Sequence, residues 1–104
     1  MRNSAIIATA SDSVTAGGAG YQDVISTTGA GIVKDVRVYV LTNTGNIDKF
    51  SVEIDGTENE YPNKNSILEI TDALFYETSF KVKAYFDSAV TSNFEYRAII
   101  HEEN

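Results

Sequence analysis

Between Gly31 and Thr57 the sequence reads GIVKDVRVYVLTNTGNIDKFSVEIDGT, two runs in which every second residue is apolar, joined by a polar connection. Val36, Val38 and Val40 fall on one side of the first run, with Asp35, Arg37 and Tyr39 on the other. Phe50, Val52 and Ile54 repeat the pattern against Ser51, Glu53 and Asp55. A two-residue period marks a strand with one dry and one wet face. Two such strands need a second layer to cover their dry sides, and the rest of the chain supplies material for it.

The alternation recurs in TSFKVKAYFD (78–87), where Phe80, Val82, Ala84 and Phe86 share a face, and in FEYRAII (94–100), where Phe94, Tyr96, Ala98 and Ile100 do. DVIST (23–27) and SILEI (66–70) are shorter candidates. Asp55-Gly56 is a hairpin turn signal. Pro62 confines ENEYPNKNS to an edge strand or a loop. TDALFY (71–76) reads as one helical turn capped by Thr71 or Asp72. The glycines of TAGGAG break any helix after the apolar run Ala5-Ile6-Ile7-Ala8. No stretch supports a helix of ordinary length. The expectation is a single all-β domain, an antiparallel β-sandwich of seven to eight strands. Residues 1–20 read as an N-terminal arm with a glycine-rich connection, 21–100 as the sandwich, and 101–104 as an exposed tail.

Composition removes several functions. At 104 residues the chain is one domain on ordinary size grounds, and a hydrophobic share of 42% suffices for a core. A formal charge of −7 opposes binding to phosphate backbones or anionic bilayers, so neither nucleic acid nor membrane is an expected partner. The first residues carry one early positive charge but no long apolar core, and do not read as a signal peptide. With no cysteine there is no thiolate metal site, disulfide or cysteine nucleophile.

The remaining chemistry is thin. His101 is the single histidine, and its position beside the C-terminus argues against catalysis. Asp35, Glu53 and Asp55 are the best candidates for a glycosidase-like carboxylate pair, although wet-face acids are normally just solvated. Asp48, Asp55, Glu58 and Glu60 are calcium candidates without the spacing of a helix-loop-helix site. The glycine-rich stretches lack the order of a phosphate-cradling loop. No catalytic residue, cofactor site or metal site is therefore assigned. Phe50, Phe80, Phe86 and Phe94 read as core; Tyr21, Tyr39, Tyr61 and Tyr85 fall on wet faces or loops. Exposed tyrosines suit protein interfaces or sugar stacking.

TGAGIVKDVRVYV…KFSVEIDGT resembles a pattern in tailed-phage structural proteins, in which a glycine-containing turn opens a strand and a second strand ends in Ile-Asp-Gly-Thr. FYETSFKVKAYF is similar to a later segment of that group, and FEYRAII to its closing strand. Together these cover about two-thirds of the chain. The resemblance implies a β-sandwich or jelly-roll domain. It implies a non-enzymatic role as a capsid decoration or head-auxiliary protein, made in the host cytoplasm and resident in the virion. Its partner would be the major capsid protein or another virion protein, with a homotrimer about a local symmetry axis as one arrangement. A tail or baseplate component is the alternative within that group. A carbohydrate-binding sandwich module, with Tyr39, Tyr61 and Tyr85 lining one groove over a glycan, is the alternative outside it. An arm from Ser4 to Thr15 would dock on a neighbour by strand addition. Ile6, Ile7, Val14 and Tyr21 are the expected assembly contacts.

Overall fold

The computed structural model describes residues 3–103, with side chains from 12 to 102. The strands are β1 (Asn3–Thr15), β2 (Gly20–Thr28), β3 (Ala30–Val40), β4 (Ile47–Ile54), β5 (Thr57–Pro62), β6 (Ile67–Ile70), β7 (Leu74–Tyr76), β8 (Ser79–Phe86) and β9 (Thr91–Glu103). A single 3-10 turn, Thr44–Asn46, lies between β3 and β4. The larger sheet runs β1-β9-β3-β6 with β7 also on β3, and the smaller runs β2-β8-β4-β5. Every pairing is antiparallel.

The pairings are nested. β1 pairs with β9, β2 with β8, β3 with β6 and β7, and β4 with β5. Asn3 opposes Glu103, Thr15 opposes Thr91, Gly20 opposes Phe86, Gly31 opposes Tyr76 and Tyr39 opposes Ile67. The two residue numbers of these pairs have an almost constant sum, so the chain is one long hairpin ribbon. That ribbon bends wherever both of its arms break together. Ala16 donates to the Val90 carbonyl at the first bend, Gly29 to Thr78 at the second and Val40 to Ser66 at the third. Wrapping then lays β3 on β9 and β4 on β8. A nested ribbon folded into two facing sheets is the jelly-roll arrangement.

The apolar periodicity explains what the sheets hold between them. Phe50, Phe80, Phe86, Phe94, Val33, Val36, Val38 and Val82 have no exposed surface. Phe86 of the smaller sheet meets Phe94 of the larger edge to face, with centroids 6.2 Å apart. Each such side chain contributes roughly 1.5–3 kcal/mol through burial.

Four details differ from the sequence reading. Among the described residues nine strands form rather than seven or eight, because the strand opposite β3 is interrupted at 71–73 into β6 and β7. On β3 itself the register slips between Lys34 and Arg37, and Asp35 there takes φ 53°. The helical turn expected over TDALFY is absent: Leu74–Tyr76 is strand, paired with Val33, Ile32 and Gly31. A lone helical turn closes few hydrogen bonds for the residues it fixes, and an unpaired strand edge beside it offers a better ladder. His101–Glu103 is not a tail. β9 lies between β1 and β3, so its end is paired on both sides, and His101 and Glu102 are half-buried. The N-terminal segment assigned to an arm is, from Asn3 to Thr15, paired along the whole of β9.

Candidate functional site

The acids do not converge. Asp35 sits in the β3 bulge and accepts from Arg37 Nε at 3.0 Å. Glu53 lies on the outer face of the smaller sheet, 2.9 Å from Lys83 Nζ, which also reaches Glu58 at 2.9 Å. Asp55 occupies the β4–β5 turn, where its carboxylate accepts from the N–H groups of Glu77, Thr78 and Ser79 at 2.7–3.1 Å and from Thr78 Oγ1 at 3.0 Å. Those backbone donors hold the Asp55 carboxyl at about 2. Hydrogen bonding from Lys83 likewise lowers Glu53. Hydrolysis by a general acid needs a carboxyl raised above its usual range, and these two are lowered.

Three of the four calcium candidates are equally committed, and the fourth, Asp48, is an exposed residue of β4. Glu58 is held by Lys83, Glu60 by Lys49 at 2.8 Å and by the Tyr21 hydroxyl at 2.7 Å, and Asp55 by its turn. Among the described residues no three His, Cys, Asp or Glu side chains gather as a cation site. A hollow of about 180 Å³ lined by Asp12, Ser13, Leu41 and Asn93 is smaller than the roughly 300–1,000 Å³ usual for a ligand pocket.

The tyrosines separate as well. Tyr39 is on the outer face of the larger sheet, opposite Glu95 and Ile67. Tyr61 opposes Phe50 and packs against the core, so it is not on a wet face. Tyr85 is on the outer face of the smaller sheet. The three cannot line one groove. Tyr85 instead meets Tyr21 edge to face at 5.1 Å, and Lys49 Nζ lies 5.1 Å from the Tyr85 ring centre. Burial first, and then its bond to Glu60, pushes the Tyr21 phenol well above its ordinary value. Beneath this lattice Ser51, opposite both Lys83 and Glu60, is fully buried although its alternation places it on the wet side. Long ionic side chains folded across a sheet cover small residues under their stems. The Ser51 hydroxyl finds no hydrogen-bond partner there.

The outer face of the larger sheet has a different character. Phe75 on β7 is 67% exposed and stands opposite Ile32, which in turn stands opposite His101. Ile99 lies one row further along, opposite Lys34. At the other end of the same sheet Leu41 is 50% and Ile67 39% exposed. Single exposed apolar residues are ordinary, but Phe75, Ile32 and Ile99 lie together on one sheet surface.

Two of the expected assembly contacts, Val14 and Tyr21, lie on different sheets. Val14 packs against the core and Tyr21 belongs to the lattice of the smaller sheet. The backbones of Ile6 and Ile7 lie in β1 opposite Ile100 and Ile99, and their side chains fall outside the described residues. Sequence reading missed Phe75 because ALFY offers no clear period; once Gly31–Val33 is its partner, Phe75 takes the same face as Ile32. Comparison with family models, curated proteins and solved structures finds no match to this chain.

Proposed function

We propose that the chain is a non-enzymatic structural protein that acts by surface contact, as a decoration protein on an assembled phage head. The observation that carries the contact reading is Phe75, a large aromatic two-thirds exposed beside Ile32 on a sheet face that no other layer covers among the described residues. Acids neutralised by lysines, and a turn carboxylate tied to backbone, leave the surface chemically quiet and suited to adhesion. The virion setting rests on the resemblance of the strand segments to tailed-phage structural proteins. The partner is the major capsid protein or a neighbouring virion protein, and binding only the assembled shell would stabilise it by mass action.

The test is fractionation. Virions from a culture carrying the gene are purified, heads and tails are separated, and each fraction is probed with an antibody to this chain. The protein is expected with the heads. Recovery with tails would favour the tail or baseplate reading, and absence from particles would overturn the virion setting altogether. Phe75→Glu is expected to abolish attachment to heads with little change in Tm, because the side chain is mostly in water in the free protein. Unchanged attachment would remove the face from the argument.

A further inference from the structure

Three of the four sheet edges carry a device that discourages pairing with another chain. β5 presents Glu58, Glu60 and Pro62. β2 is broken by a bulge between Asp23 and Ile25. β6 and β7 are short and separated from each other. β1 carries none of these. It is 13 residues long, keeps an unbroken register on β9 and has no strand on its other side among the described residues. From Asn3 to Ser11 it contains no charge, proline or glycine. Long uncharged edges are templates for strand pairing, and natural sheets usually blunt them.

We propose that β1 is the dimerisation edge of this protein, pairing antiparallel with β1 of a second copy about a two-fold axis at Ile7. Two five-stranded sheets then become one continuous sheet. Three observations select a second copy. At a net charge of −7 two copies repel, and they can approach closely only along a stretch without charge. A two-fold axis perpendicular to an antiparallel pair must pass through a residue that faces itself, since opposed residues share a side of the sheet. Placed at Ile7, that axis stands at the middle of the uncharged run 3–11, so that no charged residue of either copy falls within that stretch of the pair. The same axis opposes Asn3 to the partner's Ser11 and Ile6 to the partner's Ala8. Ile7 is registered opposite Ile99, which shares a sheet face with Phe75 and Ile32. The inference concerns the isolated chain and is independent of the virion setting; a two-fold pair also rules out a trimer built through this edge.

The absence of cysteine makes the test clean. Under mild oxidation Ile7→Cys is expected to form a covalent dimer. Ala5→Cys and Thr9→Cys alone are expected to stay uncrosslinked, and their mixture to crosslink, because each opposes the other across the axis. Light scattering on the unmodified protein at high micromolar concentration should give twice the 11.4 kDa chain mass, falling on dilution. Ile7→Lys, which sets two like charges opposite each other on the axis, should weaken the dimer roughly tenfold. A monomer or trimer mass would overturn the proposal. So would crosslinking at Ala5 or Thr9 alone, or no crosslink at Ile7.

Discussion

Two backbone positions set the tolerances of the ribbon. Gly31 is buried, and a Cβ placed there would stand 2.6 Å from the His101 carbonyl oxygen and 2.6 Å from the Tyr76 hydroxyl. The carbonyl belongs to the β3–β9 pairing and cannot move aside cheaply. Gly31→Ala is expected to cost about 1–3 kcal/mol by overpacking, read as a lower midpoint in urea with an unchanged slope. Ser66 is the opposite case. It has φ 62°, follows Asn65 at φ 56°, and completes a turn bridged by Lys64 and Ile67. A left-handed conformation costs an ordinary L-residue roughly 1–2 kcal/mol, and glycine avoids that cost. Ser66→Gly is expected to stabilise by about 1 kcal/mol, raising Tm by ~4–8 °C in a domain of this size. Residue identity told in advance which of Val38, Phe50, Phe80 and Phe94 would be buried, since each lies in phase with its run. It did not reveal the burial of Ser51, because covering it takes long side chains from two other strands.

At the scale of elements, the hairpin tip is tied down by one carboxylate. Asp55 and Gly56 take φ 52° and 87°, both positive as a two-residue hairpin turn of this type needs, and the Asp-Gly pair announced that geometry. What the sequence could not announce is that the Asp55 side chain reaches across to the turn before β8 and accepts from three successive N–H groups. Those donors lower its pKa to about 2, against an ordinary value near 3.9 in an unfolded chain. A carboxyl lower in the fold than in the unfolded chain adds stability above its unfolded pKa, and loses it as pH falls through the folded one. Asp55→Asn should therefore melt several degrees below wild type at neutral pH. The gap should begin to close below about pH 4, be small at pH 2 and vanish about one pH unit lower, as followed by circular dichroism across that range. A gap that keeps its neutral-pH size at pH 2 would mean that the two side chains differ for some reason other than charge. The long strands were legible to within a few residues because their period is strict. β7 was not, because three residues cannot display a period and only the neighbouring ladder makes them a strand.

For the whole molecule, the nested register was written in the turns. TAGGAG stands against DSAV, TTG against ETS and TNTGN against NKNS, and each pair marks a bend of the ribbon; matching turn signals from the two halves would have given the strand order. The surface was less legible, since whether Phe75 faces water depends on what β3 already pairs with. The same nesting makes a claim about folding. Ile54 pairs with Thr57 across two turn residues, whereas Asn3 pairs with Glu103 across nearly the entire chain. Loop-closure entropy grows with the separation of the partners, but each inner pair, once formed, shortens the loop that the next one must close. Folding should therefore zip from the β4–β5 turn outwards, with the β1–β9 pair last, and be slow for a domain of this length because so many contacts are distant in sequence. Gly56→Ala, which strains the turn at φ 87°, should mainly slow folding, with a φ-value near 1. Val14→Ala on the outer strand should mainly speed unfolding, with a φ-value near 0. Chevron plots of the two variants check this directly, and the reverse ranking would place the nucleus in the β1–β9 pair, at the open end of the ribbon.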